Sequence, residues 1–562
     1  MAKATFIHDG DVIDYTPGSA VVSGDVVVLD NIVGIAIQNI AAHAQGELAV
    51  RGVFDIAKGV EAITLGAMVY WDSVSQQATA VASGNVFVGH CVIAAAEADA
   101  TVAVALRSGG GGGGSAGGSV VVTVAASDAP DEIRAAADYR CDGTADQSEI
   151  NAALAAVATA GGGTVQLTAG HFALTNPIEI DDYTTLAGVG PATQITLDSA
   201  QGDKRVITNA NATPGFDAAT HNVGISVRDL YVDGDKDSRG TGANFLCSVG
   251  FNSADGVRIE NIRVDNGWVN AIEVEYCNDI VITGNRIDNA GEEGILVNWG
   301  CDYVVVSDNI ISDSGVGKSY DSPCGIEVQN GATHVTVIGN TVRNSPSTGH
   351  CGISIKVRSG KVTCKAVTVV GNTVEDCNIG IRISGVSGTP QTGLLITGNT
   401  IRNALEGASY GLLSEYAEDF AFVGNFVYTD YTGILLQSSN LRAVIADNHL
   451  RCSGGANNDE IGMRFAGTLT DIRVDGNYVY NFGWKGLAIS GTVTRMVVVN
   501  NHITGCVISG SGSCVRWDSP TSSLCIINGN VLKGDHWSYD EATTTYDVLA
   551  ANWTETWNVK DI

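Results

Sequence analysis

The sequence predicts an all-β chain in two parts, a small β-rich N-terminal domain and a much larger parallel β-helix, joined by a flexible tether. Three observations predict it. The run Gly109 to Gly114, continued through Ser115, Ala116, Gly117, Gly118 and Ser119, has nothing to pack and maximal backbone freedom, so it separates two folding units. Before it, short Val/Ile-rich runs alternate with turn dipeptides. After it, one phrase of alternating apolar residues returns every ~23 to 32 residues, the mark of a solenoid. The chain therefore divides into a domain at 1–108, a Gly/Ser linker at 109–119, a β-helix at 120–531 and a terminal segment at 532–562, read as a cap or subunit contact.

In the first part, turns at Asp9-Gly10, Pro17-Gly18, Ser23-Gly24 and Ser83-Gly84 separate strand-like runs, which predicts a compact barrel- or sandwich-like domain. In the second, Asp146 to Ala160 has apolar residues at helical spacing (Ile150, Leu154, Val157) behind a helix-start signal at Asp146. This helix is expected to plug the first coil, whose apolar bore and unpaired strand edge would otherwise meet water.

From Gly256 onward the phrase apolar-any-apolar-any-Gly/Asp-Asn-any-apolar recurs, placing Asn285, Asn309, Asn340, Asn372, Asn399, Asn425, Asn448, Asn477, Asn501 and Asn530 at equivalent positions. A second phrase, Gly-apolar-any-apolar, precedes each, as in Gly294-Ile295-Leu296-Val297 and Gly325-Ile326-Glu327-Val328. Two short strands per unit follow. Gly and Asn tolerate the positive φ of a sharp turn, and turns stacked ~4.8 Å apart bring each Asn amide against the next in a hydrogen-bonded ladder. Ten or eleven clear coils, with less regular ones before Gly256, make a rod of ~55 to 65 Å. After Asn530 the pattern dissolves into a segment holding Trp537, Tyr539, Trp553 and Trp557.

The formal net charge is -30, which repels phosphate backbones and anionic headgroups and so excludes nucleic acid and membrane surfaces as partners. MAKATFIHDG lacks an apolar h-region, and no apolar stretch nears ~18 residues, so neither a standard secretion signal nor a membrane span is expected. The thirteen cysteines are odd in number, form no C-x-x-C pair and sit in apolar segments. Cys277, Cys301 and Cys364 share one position relative to the ladder asparagines, which points to buried thiols in an interior column. The histidines show no metal-ligand clustering. Asp233, Asp235 and Asp237 have calcium-loop spacing, but Ser238 and Asn244 stand where such a loop needs Gly and Glu, so a polar turn is expected. No metal, cofactor or catalytic residue is assigned.

The register also places two outward columns. One holds Glu273, Leu296, Glu327, Ser354, Arg382 and Leu413; the other holds Glu275, Asn298, Gln329, Lys356, Ser384 and Glu415. Glu273 and Glu327, with Lys356 beyond and Trp268, Tyr276, Trp299 and Tyr320 on nearby turns, form a conceivable glycan groove of the kind a two-carboxylate glycosidase needs. Solvated acids on the outer face of an acidic rod are the preferred reading. The string STGHCGISIKVRSG shares a faint similarity with polygalacturonase motifs, but where their Asn-x-Asp and Asp-Asp elements belong only Glu293 and Asp321 stand.

The stretch CDGTADQSEINAALAAVATAGGGTVQLTAGHFALTNPIEIDDYTTLAGVG, from Cys141, resembles the opening of the pectate-lyase-like right-handed β-helix superfamily, which includes phage tailspikes and many polysaccharide-degrading enzymes. The likeness extends over about 400 residues and implies the fold, which hosts lyases, hydrolases and inert spikes alike. The phrases HDGDVIDYTPGSAVVSGDVVVL, GVFDIAKG, GAMVYWD and ASGNVFVGHCV resemble tailed-phage capsid cement, or head decoration, proteins along the whole first domain. That resemblance implies attachment to the major capsid protein on the outer face of an icosahedral shell, often as trimers, stiffening it against internal pressure. Members of that family usually stop near the equivalent of Arg107, whereas this chain runs on into a β-helix that would project as a head fibre or knob. The expectation is a structural, non-enzymatic virion protein on the outer capsid surface, homotrimeric, with host-surface glycans as a further class of partner. The alternatives are a virion-borne polysaccharide depolymerase and a tail-mounted adhesin.

Overall fold

The computed structural model describes residues 12–29, 32–64, 67–81, 85–107, 120–198, 204–213, 215–236, 247–315, 323–345, 350–403, 409–452, 460–506, 513–517, 522–523, 525–533 and 559–560. The chain falls into two compact units, Met1–Val120 and Val121–Ile562.

In the first unit Val/Ile-rich segments pair into two antiparallel sheets. One orders Val12–Tyr15, Gly46–Ala49, Ile32–Ala36 and Val26–Leu29; the other orders Arg51–Ala57, Thr101–Arg107, Val86–Ile93, Met68–Asp72 and Gln77–Thr79. Ile56, Val69, Trp71, Val88, Val104 and Leu106 form its buried core. Gly24, at φ 95°, makes the turn read at Ser23-Gly24. The turns at Asp9-Gly10 and Ser83-Gly84 and the Gly109–Ser119 tract lie outside the described residues.

The second unit is a parallel solenoid whose pairings form one 30-stranded and one 15-stranded sheet, two strands per coil in the former and one in the latter. Each coil thus has three strands where the repeat phrases announce two. In one coil they are Asn270–Glu275, Asn278–Thr283 and Arg286–Asp288, and the next coil repeats them at Ile295–Asn298, Asp302–Ser307 and Ile310–Ser312. The third strand carries a single inward residue, here Ile287, too short a run for alternation to reveal. Ile272, Val274, Ile280, Ile282 and Ile287 fill the bore, each at most 1% exposed.

Helix α1 (Asp131–Ala136) and helix α2 (Gln147–Thr159) precede the regular coils. Along α2, Ile150, Leu154 and Val157 are buried against the first coils. Asp146 makes no side-chain cap bond to the helix. Its two carboxylate oxygens instead accept the N–H groups of Gly143 and Ala173, each at 2.8 Å, tying the helix start to the solenoid.

The ten asparagines form one continuous ladder. At each junction, as from Asn340 to Asn372, the Oδ1 of the later residue accepts both the backbone N–H (2.9 Å) and the Nδ2 (2.9 Å) of the earlier one. The Nδ2 also donates back to the preceding coil, as from Asn372 to the Val337 carbonyl. The ladder begins one coil early, because the Ile262 N–H donates to Asn285 Oδ1. Positive φ falls on the residue before each asparagine, Gly284 at 65° or Asp308 at 54°, so the Asn supplies the hydrogen bonds and its predecessor the turn.

The glycine opening the second phrase has a different cause. A Cβ at Gly325 would lie 2.2 Å from Val342 Cγ1, and one at Gly352 2.3 Å from Val374 Cγ1, because the first strand there runs directly against the inward residue of the third.

Cys277 and Cys301 are neighbours in an interior column; Ala332 stands between Cys301 and Cys364. Cys91, Cys141, Cys247, Cys277, Cys301, Cys324, Cys351, Cys364, Cys377, Cys452, Cys506 and Cys525 are buried thiols outside any disulfide. Asp235, at φ 50°, donates its N–H to Asp233 Oδ1 in a polar turn; Asp237 lies outside the described residues. So does the Trp537–Trp557 segment, after which Val559–Lys560 pairs with Val531–Leu532. No helix among the described residues is long and apolar enough to cross a membrane.

Candidate functional site

The outward columns of the first strands pair in the order expected: Glu273, Leu296, Glu327, Ser354, Arg382 and Leu413 in one, and Gln329, Lys356, Ser384 and Glu415 in the other. Their surroundings differ from the expectation. Glu273 is 2%, Glu327 0% and Lys356 6% exposed, so they are neither solvated acids nor the walls of an open groove. The correction has a structural reason. Connecting segments, among them 210–213, 215–221 and 289–294, lie against the first strands. The Thr213 and Gly215 N–H groups donate to Asn252 Oδ1 and Glu275 Oε2, and the Ala271 N–H to the Glu293 carbonyl.

Two polar clusters result. In the first, Arg205 Nη2 lies 3.1 Å from Glu275 Oε2 and 4.0 Å from Glu273 Oε2, and Asn252 Nδ2 donates to Glu275 at 3.2 Å. Burial, reinforced by the charge of Glu275 and opposed by Arg205, pushes the Glu273 carboxyl up to about 8. In the second, Glu327 Oε2 lies 3.8 Å from Lys356 Nζ and accepts from Cys324 Sγ at 3.5 Å, while Gln329 Nε2 donates to its Oε1. Burial first and the Glu327 charge second hold the Glu293 carboxyl well above the usual carboxylate range. Burial lowers His350, and it raises the Cys324 thiol, whose hydrogen bond lowers its register partner Cys351. Further along, Arg382 pairs with Glu415 at 2.9 Å.

The aromatic residues do not join these acids. Trp268 is buried, on the connection entering the Asn270–Glu275 strand. Trp299 sits beyond the exit end of its own first strand, stacked on Tyr276 at 6.3 Å with Lys361 Nζ 4.3 Å over its ring. Tyr320 and Asp321 lie outside the described residues.

Chemically, a neutral carboxyl held near a carboxylate paired with a lysine has the make-up of an acid/base pair. Sugar cleavage also requires a groove that admits the polymer, and a fully buried Glu327 offers none. The residues missed by sequence reasoning are Arg205, which precedes the repeats and has no register to betray it, and the Cys324–Cys351 pair, whose shared place one residue before the phrase glycine was a usable signal. Cys141, Asp146 and Glu149 also bring donor atoms within 4.8 Å of one another, but both Asp146 oxygens already serve backbone N–H groups.

Comparison with known proteins assigns each unit separately. Residues 7–106 match the phage cement protein family, residues 247–427 the right handed beta helix region, and residues 385–515 the periplasmic copper-binding protein NosD. No curated protein matches the chain. Gene product 12 of bacteriophage phi29, in its pre-mature form, is similar at 17% identity and a TM-score of 0.54, over 69% of this chain and 54% of that one, and shares the fold. A tailspike protein mutant of E. coli bacteriophage HK620 (14% identity, TM-score 0.47, 69% of this chain and 74% of that) and the mannuronan C-5 epimerase A-module of Azotobacter vinelandii (15%, 0.39, 70% and 92%) align less closely. The chain thus carries a phage cement protein domain in its first unit and a right-handed β-helix in its second, the make-up of a phage structural protein.

Proposed function

We propose that the protein decorates the outer surface of a phage capsid, its first unit holding the major capsid protein and its β-helix displayed on the glycine tether. The observation that carries this reading is the coupling, in one chain, of a cement domain matched along 7–106 to a separately folded solenoid. The burial of Glu273, Glu327 and Lys356 favours a scaffold over a cutting cleft. Many displayed copies would turn weak contacts with host-surface glycans into useful avidity. Incubating capsids that lack the protein with residues 1–120 and, separately, residues 121–562 tests the assignment: the first piece co-sediments and the second stays in solution. Capsid binding by the second piece alone, or labelling of particle tails by the full chain, overturns it.

A second reading, a polysaccharide depolymerase, has one observation in its favour, a Glu293 carboxyl held well above the usual carboxylate range beside Glu327, which pairs with Lys356. Release of reducing ends or unsaturated sugars from host polysaccharide, abolished by Glu327→Gln with folding intact, would establish it.

A further inference from the structure

Among the described residues, cysteines stand at matching positions of successive coils in two places. Cys277 and Cys301 precede the paired residues Asn278 and Asp302, and Cys324 is the direct register partner of Cys351. The first pair belongs to the interior column, where Cys277 Sγ donates to the Glu275 carbonyl at 3.1 Å and Cys301 Sγ to the Val274 carbonyl at 3.4 Å. The second pair lies on the other side of its sheet. Cys324 and Cys351 cluster with Ile379, Leu413 and Leu435, of which Leu413 belongs to the outward column of the first strands. Cys324 Sγ also reaches Oε2 of the outward Glu327 at 3.5 Å.

We propose that Cys324 and Cys351 are a site of disulfide formation, which joins two successive coils when the folded chain meets a low-molecular-weight disulfide such as oxidised glutathione. Geometry carries the proposal. Paired Cα atoms on neighbouring strands lie about 4.8 Å apart, inside the ~4.4 to 6.8 Å that a disulfide spans, and the shared cluster puts both side chains on one side of the sheet. The two thiols are also unequal. The Cys324 hydrogen bond, opposed by burial and aided by the charges of Arg382 and Lys356, lowers the Cys351 thiol, whereas burial holds Cys324 well above the ordinary thiol range. Cys351 is therefore the attacking thiolate. Its sulfur bonds to one sulfur of the reagent, whose other half leaves as a thiolate and takes up the proton that Cys351 released. Cys324 then gives up its proton and attacks the Cys351 sulfur of the mixed disulfide, and the second half of the reagent leaves as a thiol. Two protein thiols and one reagent disulfide become one protein disulfide and two reagent thiols, with two electrons passed to the reagent. Both cysteines are 0% exposed, so the reaction waits on local opening, and burial sets its rate rather than its end point. The proposal does not rest on capsid attachment, and its test uses no capsid.

The full-length chain should be incubated with oxidised glutathione under native conditions and then digested for peptide mapping. Cys324 should be found joined to Cys351, the linked pair lighter by two hydrogens, while Cys277 and Cys301 remain thiols. The oxidised protein should unfold at a higher denaturant concentration than the reduced one, because the link restricts the unfolded chain, and dithiothreitol should abolish the difference. This comparison needs no variant to fold. Cys324→Ser should stall at a glutathione adduct on Cys351, and Cys351→Ser should form no link and show no gain in stability on oxidation. A native chain that keeps both thiols overturns the proposal, as does a link that forms only after unfolding or one that forms at Cys277 and Cys301 instead.

Discussion

Two faces of the same solenoid invert the usual relation between polarity and exposure. The outward side of the first strands holds Glu273, Glu275, Glu327 and Lys356 away from water, while the outward side of the second strands leaves Val305, Ile338 and Leu395 in it. A buried charge and an exposed apolar stripe are the two observations that carry information about a surface, and here one coil geometry produces both. The difference teaches that strand register decides which way a side chain points, and the connections decide what it meets there.

The comparison breaks most sharply at Glu327. Glu327→Ala removes the buried carboxyl 3.8 Å from the Lys356 ammonium, and about 3–5 kcal/mol of stability should be lost, read as a lower denaturant midpoint. A charge added to the other face, as in Leu395→Lys at a position 42% exposed, should stay within about 0.5 kcal/mol. A next, smaller effect belongs to the bore that both faces share. Gly352→Ala places a methyl group against Val374 and should cost about 1–3 kcal/mol through overpacking, with a slope of unfolding against denaturant that is unchanged.

A further test sharpens the contrast through pH. Glu273 keeps its proton to about pH 8 in the folded chain and releases it near 4.5 when unfolded. Its contribution to stability is therefore full below about 4.5 and declines as pH rises toward 8. Glu293 acts in the same direction. Thermal unfolding of Glu273→Gln should show a shallower decline over that interval, and an unchanged profile would mean that the carboxyl is ionised in the native state.

Much of this architecture was legible because the repeat phrases carry register. The column Glu273, Leu296, Glu327, Ser354 could be written down from the position of each phrase-opening residue alone, Ala271 in the first of these coils and a glycine in the others. The apolar spacing of Ile150, Leu154 and Val157 likewise marks α2. What stayed hidden depends on contacts between segments with no fixed spacing. Arg205 reaches Glu275 from 70 residues away, and the segments between strands differ in length from coil to coil. The third strand stayed hidden for another reason: three residues contain too little alternation to be told from a turn. The asparagine ladder was legible from the recurrent phrase, whereas the positive φ lies on the residue before each asparagine, a Gly or Asp or, at position 500, an Asn.

The asparagine ladder also makes chain length an adjustable quantity. Every rung receives the same two donors from the rung before and offers the same two to the one after, so no rung is tied to a particular partner. Removing residues 373–399, one whole revolution, would hand the bonds of Asn399 to Asn372 and leave a shorter body with its joints intact. Duplication could lengthen it by the same step. Reach is then a property that selection, or an engineer, can change in increments of a single revolution without redesigning what lies at either end.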